Sequence, residues 1–330
     1  MFRCAERTRT PIVVAVAACK DGPMLVSVVI PTYGRPESLA RCLDALARQR
    51  TPPHETLVVV RSEDEPSAHV VRARGGTVRL VTVERPGVVA AMNAGIDVSS
   101  GEVVALTDDD SAPHEDWLER LVATYESDPQ MGAVGGRDWI YKQGRLWEGS
   151  VHTVGTISWF GRITGNHHLG VGPARDVDVL KGVNLSVKGE LLRSLRIDER
   201  LRGIGTEHHW ELGLCLAVRR RGFRVVYDPS IAVDHFPQPR IDDSRQFSSI
   251  ELRDATYNET LALMEHLPRG RRLMFLAWAS AVGTSSTPGL AQALRALPSR
   301  GAASWSQLYG AQRGLMMGMS AHRRNGAPYA

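Results

Sequence analysis

The stretch Gly101-Glu-Val-Val-Ala-Leu-Thr-Asp-Asp-Asp110 decides the fold expected for this chain. Its apolar run, Val103 to Leu106, is typical of a short buried strand, and three consecutive carboxylates follow just after it. Adjacent like charges repel unless a cation or hydrogen-bond donors neutralise them. Ligands of an open α/β sheet bind at the carboxyl ends of its strands, and carboxylate oxygens suit Mg²⁺ or Mn²⁺. The triplet therefore predicts a metal-binding sheet edge, with a solvated acidic turn or a helix N-cap as the alternative.

The composition is that of an ordinary globular protein. The chain has 330 residues, of which 43% are hydrophobic and 23% charged, enough for one large domain or two. The net charge of +4 is small for this length and does not by itself indicate a nucleic-acid partner. No apolar run reaches the length of a membrane-spanning helix. The four cysteines are widely spread without a C-x-x-C pair, which favours a reducing, cytoplasmic compartment over a disulfide framework or a zinc site.

The N-terminal segment permits two interpretations. Three arginines precede the apolar run from Pro11 to Cys19, which resembles a short signal peptide ending in a cysteine. The run is short, however, and Met24 stands immediately before the first convincing strand. We therefore expect residues 1–23 to be a poorly ordered extension or a misplaced start.

Strand and helix patterns alternate over the first 125 residues. Apolar, β-branched runs predict strands, and apolar residues at helical spacing predict the helices between them. The expected strands are 25–30, 57–60, 78–83 and 103–106. The expected helices are one that begins at Pro36 and three over 70–74, 88–98 and 115–125. This alternation predicts an α/β fold with a mainly parallel sheet flanked by helices on both faces.

The rest of the chain is less regular. Residues 137–177 are rich in Gly, Trp and His, and Gly165 to Gly172 is expected to form a flexible loop over a site. Further on, strands are expected over 178–181 and 223–227, and helices over 210–221, 245–266 and 271–282. Pro288, Pro298 and Gly301 are expected to interrupt the C-terminal segment beyond these helices.

Four segments occur in the order of a known family. They are Val26–Leu39, Arg85–Ile96 with Gly101–Asp110, Lys181–Val187, and Trp210–Leu216 with Gly222–Pro229 and Val233–His235. The segments read VSVVIPTYGRPESL, RPGVVAAMNAGI with GEVVALTDDD, KGVNLSV, and WELGLCL with GFRVVYDP and VDH. Together they resemble the inverting glycosyltransferases of family 2, which have the GT-A fold, and the resemblance covers roughly residues 26–237.

The resemblance implies a chain of three parts. A GT-A glycosyltransferase domain is expected over residues 24–240, with a nucleotide-binding half over 24–136 and an acceptor-binding half over 137–240. The extension over 1–23 precedes it, and a C-terminal helical extension is expected over 241–330.

The activity implied by the resemblance is metal-dependent transfer of a sugar, with inversion, from a nucleotide-diphospho-sugar to a hydroxyl acceptor. The acceptor is a glycan, a lipid-linked compound or a small molecule, as in polysaccharide biosynthesis. Such a reaction needs a neutralised leaving diphosphate, a base for the acceptor hydroxyl and binding that aligns both substrates. Two alternatives are a sugar-phosphate nucleotidyltransferase, whose Gly-rich phosphate loop is missing from Pro31–Arg35, and a non-catalytic nucleotide-sugar-binding relative.

By the same resemblance, the aspartate triplet and one histidine form a site for Mn²⁺ or Mg²⁺. Asp110 is expected to bind the metal, with Asp108 as a second ligand or facing the nucleotide ribose or the sugar. Asp109 is able to exchange roles with either. His235 matches the family's histidine after the last core strand and is expected to complete the metal shell, which suits Mn²⁺ better than Mg²⁺. A histidine within the core or an interface is the alternative.

Two glutamates are candidates for the general base. Glu211 matches the family's acidic residue ahead of Leu-Cys-Leu, although the family has Glu-Asp where this chain has Trp210-Glu211. Glu207, four residues earlier, is the second candidate. At least one of the two is expected only to cap the following helix through its positive N-terminal end.

The nucleotide pocket is expected at the end of the first strand, where the resemblance places Pro31, Thr32, Tyr33 and Arg35. The family usually ends its second strand with two aspartates, one of which reads uracil. Arg61 stands there instead, and Glu63 or Asp64 is the substitute from the following loop. Because arginine donates where aspartate accepts, a uridine donor does not follow from the sequence.

Four further residues are expected to contact the substrates: Arg85, Asn93, Lys181 and Asn184. Arg85 is assigned to the diphosphate, because Met92 replaces an arginine that the family places before Asn93; a solvated surface position is the alternative for Arg85. Lys181 and Asn184 are expected to face the acceptor or the donor sugar. Asn184 has a second interpretation, in which it only pins a turn.

A basic and apolar segment follows the expected catalytic domain. Arg269, Arg271 and Arg272 precede an apolar run over 273–282 that is about half the length needed to span a bilayer. Two placements are open for such a helix. In the first it packs against the catalytic domain or a second subunit; in the second it lies on the anionic inner face of a membrane and brings the enzyme to a lipid-linked acceptor.

Overall fold

The computed structural model describes residues 22–203, 205–237 and 249–325. Most of the predicted N-terminal extension and the predicted boundary at residue 240 lie outside these ranges. The strands are β1 Val26–Thr32, β2 Glu55–Arg61, β3 Val78–Val83, β4 Val103–Leu106, β5 Ser111–Pro113, β6 Met131–Lys142, β7 Arg145–Leu146, β8 Thr156–Ile157, β9 Ile163–Thr164, β10 Arg175–Asp176, β11 Leu185–Lys188 and β12 Arg224–His235. The helices are α1 Pro36–Ala47, α2 Glu65–Arg74, α3 Val88–Val98, α4 Trp117–Ser127, α5 Gly189–Leu195, α6 Trp210–Arg220, α7 Ser249–His266, α8 Arg269–Ala281, α9 Leu290–Arg300 and α10 Ala302–Asn325.

The main sheet has the strand order β10-β12-β6-β11-β4-β1-β2-β3. Strands β1 to β4 are parallel to one another where they pair, and β12 is parallel to β6. Strand β11 is antiparallel to both β4 and β6, and it joins the two parallel regions into one sheet. The prediction of a mainly parallel α/β sheet is confirmed.

Helices cover both faces of the sheet, and β1 shows why. Successive side chains of a strand point to opposite faces. Val29 accordingly packs with Met92 and Ile96 of α3, whereas Val28 and Ile30 pack with α1 and α4 on the other side. All of β1 is buried, so its sequence is a continuous apolar run rather than an alternating one.

Strand β6 was missed by the prediction of an irregular segment from residue 137 onward. Its twelve residues contain Gly132, Gly135 and Gly136, which lower strand propensity. Its neighbours come so close that a side chain at Gly136 would clash with the backbone of Ile231. The strand also crosses the predicted boundary at residues 136/137, so the two predicted halves share it.

Two smaller predictions also differ from the structure. The helix expected over 115–125 is α4, which starts two residues later than predicted, at Trp117, and the segment between the triplet and this helix contains the unpredicted strand β5. Residues 178–181 are not a strand, because the backbone N–H groups of Asp178 and Val179 both bond to the carbonyl of Gly155 in a loop. The strand begins only at β11, after a 3₁₀ turn at Gly182–Asn184.

The C-terminal helices form a layer beside α6. Leu263 of α7 belongs to the same buried cluster as Leu212 of α6. The long helix α10, not predicted, lies against α7, with Gly310, Gly314 and Gly318 facing it at four-residue spacing. A side chain at these glycines would meet the backbone or Cβ atoms of α7, so their small size permits the close approach. No helix among the described residues is both long and apolar enough to cross a membrane.

Candidate active site

The ends of β1 and β4 bring the nucleotide loop to the acidic triplet. These strands are adjacent and parallel, with Val29 paired to Leu106. The hydroxyl of Thr32 therefore donates to Asp109 Oδ2 at 2.6 Å. The guanidinium of Arg35 reaches Asp109 Oδ1 at 2.7 Å and Asp110 Oδ2 at 3.1 Å. The mutual repulsion of the carboxylates is thus partly neutralised by the protein itself.

Asp109 is committed to these protein partners. Its side chain is fully buried, and burial raises its pKa to about 7 although the charge of Arg35 acts in the opposite direction. The sequence left open whether Asp109 exchanges roles with Asp108 or Asp110. In the structure Asp109 is bound to protein groups, whereas Asp108 and Asp110 belong to the candidate metal centre described next.

Asp108, Asp110 and His235 form the candidate metal centre. Strand β5 pairs antiparallel with the end of β12, and its Ser111 lies opposite His235. This register brings the imidazole next to Asp110, with Nε2 3.4 Å from Asp110 Oδ1. One ligand atom from each of the three residues lies within 4.8 Å of the other two. Two carboxylates and one imidazole make a donor set that fits a divalent cation such as Mn²⁺.

Asp138, which the sequence analysis did not identify, lies behind the imidazole. It is fully buried on β6, with Oδ2 3.6 Å from His235 Nδ1, an ion-pair distance rather than a hydrogen bond. The same oxygen forms an ion pair with Lys181. Burial by itself would lower the pKa of His235, but Asp110 and Asp138 together raise it to about 9. A charged residue within a buried strand would have marked Asp138 as a candidate site residue. It was missed because strand β6 was not predicted.

The nucleotide loop is held by Asp64. Its Oδ2 accepts the N–H of Gly34 at 2.6 Å, and its Oδ1 accepts the N–H of Ser67 at 3.2 Å at the start of α2. The carboxylate of Asp64 therefore holds the nucleotide loop in place through these two hydrogen bonds. The sequence had suggested that it reads the nucleotide base instead. Pro31, the other predicted residue of this loop, is buried within β1.

Tyr33 and Arg61 border this loop on the solvent side. The guanidinium of Arg61 lies 5.4 Å from the centroid of the Tyr33 ring and forms an ion pair with Glu63. Tyr33 is exposed, which leaves one face of an aromatic ring available to a flat ligand.

Glu211 lies in the first turn of α6, on the wall of a pocket of about 360 Å³. Lys181 lines the same pocket and links it, through Asp138, to the metal centre. Burial raises the pKa of Glu211 to about 7, and the negative charge of Asp108 adds to the effect. A carboxylate with that pKa exchanges protons readily near neutral pH.

Glu207 has a structural task instead. Its Oε2 accepts the N–H groups of Val88 at 2.8 Å and Val89 at 3.4 Å. The side chain is buried and caps the N-terminus of α3 from 119 residues away. The preceding Gly87 has φ 112° and no room for a side chain against this carboxylate. The expectation that one of the two glutamates caps a helix fits Glu207, although the helix is α3 and not α6.

Two residues predicted to contact the substrates, Arg85 and Asn93, are engaged by protein partners. Arg85 forms a surface ion pair with Glu199 at 2.7 Å. Asn93 is buried and exchanges two hydrogen bonds of 2.9 Å with the backbone of Ile197. Arg85 thus holds a surface ion pair, and Asn93 ties α3 to the loop that follows α5.

Asn184 is likewise engaged within the protein. Its amide oxygen accepts the indole N–H of Trp117 at 2.9 Å, and its amide nitrogen donates to the carbonyls of Ile231 at 2.9 Å and Arg137 at 3.2 Å. These hydrogen bonds agree with the interpretation in which Asn184 only fixes the backbone. They do not agree with an amide that faces a substrate.

Residues 27–183 match the sequence model of glycosyl transferase family 2. The match contains the nucleotide loop, the aspartate triplet, Asp138 and Lys181. The matched part of the chain is a glycosyl transferase family 2 domain. Strand β12, which carries His235, and helix α6, which carries Glu211, follow the matched region.

Two curated relatives come from Haloferax volcanii. The glycosyltransferase AglE is 36% identical over 126 residues, which are 36% of this chain and 41% of AglE. Glucosyl-dolichyl phosphate glucuronosyltransferase is 28% identical over 224 residues, 64% of this chain and 69% of that protein. The first alignment thus spans less than half of the relative.

A solved structure shares the fold. GalNAc-T7, crystallised with UDP, GalNAc and Mn²⁺, superposes with a TM-score of 0.61 at 14% identity. The superposition covers 94% of this chain and 59% of GalNAc-T7. The expected GT-A fold is confirmed, including its C-terminal helices beyond the matched region.

Proposed function

We propose that this protein is a metal-dependent inverting glycosyltransferase that moves a sugar from a nucleotide-diphospho-sugar to a hydroxyl acceptor. The observation that carries the proposal is the convergence of Asp108, Asp110 and His235 at the carboxyl edge of the sheet. Arg35 of the nucleotide loop contacts this cluster through Asp110, and Lys181 of the pocket that contains Glu211 is linked to it through Asp138. The UDP and Mn²⁺ in the GalNAc-T7 structure support the same donor and cofactor class.

On this proposal, Asp108, Asp110 and His235 hold the divalent cation, which when bound neutralises the charge of the leaving diphosphate. Arg35 fixes Asp110 from the side opposite His235, and Asp138 orients the imidazole through Nδ1. Tyr33 and Arg61 form the edge on which the nucleotide lies. These residues supply positioning, which aligns the donor for displacement.

Glu211 is the proposed general base. Its partly buried carboxylate lines the pocket beside Lys181, where an acceptor hydroxyl is able to approach the donor. With a pKa of about 7, a substantial fraction of the carboxylate is ionised at neutral pH and ready to accept the hydroxyl proton. Glu207 lacks this freedom, because its oxygen already accepts two backbone N–H groups.

A lipid-linked acceptor is the proposed class, and α8 is the proposed membrane contact at the cytoplasmic face. The name of the Haloferax volcanii relative, glucosyl-dolichyl phosphate glucuronosyltransferase, specifies a lipid-linked sugar. Helix α8 buries Phe275 against Gly161 but leaves Leu273 72% and Met274 40% exposed. Nearby, Arg271 bonds to the carbonyl of Trp159, whose side chain is 62% exposed. Packing on the catalytic domain and contact with a membrane therefore use different faces of α8.

A thermal-shift screen of UDP, GDP, ADP and CDP, each with and without Mn²⁺, tests the donor proposal. A ligand that binds the native state raises the melting temperature by mass action. We expect at least one nucleoside diphosphate to raise it, and to do so only with Mn²⁺. No shift with any of the four would contradict the proposal. Release of pyrophosphate from a nucleoside triphosphate and a sugar 1-phosphate would instead support a nucleotidyltransferase.

A further inference from the structure

The pocket beside Glu211 has a wall that lies outside the region matched by the family. Besides Lys181, Glu211 and the loop of His167 and His168, it is lined by Glu259 of α7 and by the hydroxyl side chains of Thr284, Ser286 and Thr287. The C-terminal layer thus completes the pocket, and its polar groups are hydroxyls and one carboxylate.

Glu259 is an unusual residue in this wall. Its side chain is only 7% exposed, and burial raises its pKa to about 7. No described residue forms a hydrogen bond or an ion pair with its carboxylate. A buried carboxylate without a partner costs stability, so such a group in a native structure calls for an explanation. Glu265, which is buried on the same helix, does have a charged partner: it forms a 2.8 Å ion pair with Arg200.

The charges around the pocket indicate the chemistry of its ligand. Lys181 is the single cation among the described side chains that line it, and Asp138 neutralises it. Burial lowers the pKa values of His167, His168 and His209, so the three imidazoles are neutral at pH 7. A pocket with two glutamates and no free cation repels phosphate, whereas sugar hydroxyls are able to donate to carboxylates.

The available space agrees with a ligand of that kind. The pocket, at about 360 Å³, falls in the range of small-molecule sites. A second cavity that Glu259 borders is about 10 Å³ and mainly apolar, which leaves room for roughly one water molecule. A ligand for the Glu259 carboxylate therefore belongs in the larger pocket.

We infer that Glu259 is an acceptor-binding residue, whose carboxylate accepts hydrogen bonds from the hydroxyls of an uncharged sugar unit at the reacting end of the acceptor. This inference rests on the proposed function, because it places the sugar beside Glu211. It assigns part of acceptor specificity to α7 and to the loop over 284–287, which lie outside the family-matched residues 27–183.

The test uses the full-length protein and saturation-transfer NMR with methyl β-D-glucopyranoside, methyl α-D-mannopyranoside and methyl β-D-galactopyranoside, with and without inorganic phosphate. We expect at least one glycoside to bind the wild type and phosphate not to displace it. Glu259→Gln should weaken that binding about tenfold, because a charged acceptor is exchanged for a neutral one. Its melting temperature at pH 8 should be equal or higher, since an unpartnered buried charge is removed.

Glu265→Gln is the matched control from the same helix. It should lower the melting temperature, because the buried ion pair with Arg200 is lost and Arg200 keeps only its pair with Asp198, and it should leave glycoside binding unchanged. The inference is overturned if no glycoside binds the wild type, if Glu259→Gln binds as well as the wild type, or if phosphate competes. Nucleotide binding with Mn²⁺, measured on the same variants, reports separately on the proposed function and should not respond to Glu259→Gln.

Discussion

His235 and Asp138 face each other between β12 and β6, with His235 Nδ1 3.6 Å from Asp138 Oδ2. The opposite ring nitrogen, Nε2, faces Asp110. In metal sites, a partner on the far nitrogen of a histidine fixes the ring orientation, and its loss typically reduces metal affinity about 10- to 100-fold. Asp138→Asn should therefore raise the Mn²⁺ concentration needed for nucleotide binding by about that factor, as measured by titration with Mn²⁺ in a thermal-shift assay.

The control for Asp138 is Asp176→Asn, which alters an aspartate paired with Arg224, at the opposite end of β12 from His235. It should leave the Mn²⁺ requirement unchanged. An unaltered Mn²⁺ requirement in Asp138→Asn would show that Asp138 serves only to neutralise Lys181.

Asp110→Ala should abolish sugar transfer and Mn²⁺-dependent nucleotide binding while the chain stays folded. The change removes a proposed metal ligand and also relieves repulsion within the triplet. Isothermal titration with nucleotide and Mn²⁺ checks binding, and circular dichroism checks the fold. Asp44→Ala, at an exposed carboxylate of α1, is the control. Transfer at the wild-type rate in Asp110→Ala would defeat the metal assignment.

Glu211→Gln keeps the size of the side chain but cannot accept a proton. We expect kcat to fall by ~10²–10⁴-fold, the usual contribution of a positioned general base. Donor binding should be nearly unchanged, because the base contacts the acceptor. The measurement is kcat at saturating donor, with donor affinity determined separately.

Glu207→Gln is the matched variant for the other glutamate. Its kcat should stay close to that of the wild type, whereas the free energy of unfolding should fall by about 1 kcal/mol as the charged cap of α3 is lost. If Glu207→Gln is inactive and Glu211→Gln is active, the roles given to the two glutamates are reversed. Activity in both variants means that another group takes the proton.

The pH dependence of transfer should follow the pKa of Glu211. The base acts only when it is ionised, and burial places its pKa at about 7. Activity should therefore rise with pH between 6 and 8 and fall about tenfold per unit well below pH 7. The profile of kcat/KM checks this, and the low-pH limb should disappear in Glu211→Gln. A rate that decreases from pH 6 to pH 8 would exclude Glu211 as the base.

Leu273→Glu should weaken association with vesicles that contain phosphatidylglycerol. Removing an exposed leucine from a membrane-facing helix forfeits about 1.5–3 kcal/mol of apolar burial and adds a repulsive charge. Co-sedimentation measures the bound fraction. Ile250→Glu is the control, because Ile250 is also well exposed, at 48%, but lies on α7. Absence of binding by the wild type would end the membrane proposal.

A substitution suits this test better than removal of the C-terminal helices. Helix α7 contributes Ala262 and Leu263 to the buried cluster of the catalytic domain. Its removal would uncover that core, and a change in vesicle binding would then have more than one cause.

Local patterns were sufficient for the strands and helices around the nucleotide loop. Strand β4 and helix α3 have the predicted bounds, and β1 lies within two residues of its predicted ends. These elements are apolar runs or carry a helical apolar stripe, so a few neighbouring residues determine them. The acidic triplet after β4 pointed to the sheet edge for the same reason: it directly follows a recognisable strand.

The partners within the site were decided by tertiary structure. Asp138 meets His235 because β6 and β12 are neighbours, and Glu207 caps α3 across 119 residues. Neither contact leaves a local pattern, since each joins residues distant in sequence. Strand β6 itself is glycine-rich and buried on both faces, so the alternation that reveals a half-exposed strand is missing. The sequence by itself determined which residues are able to bind a metal or take a proton, whereas the packing of distant elements decided which of them are free to do so.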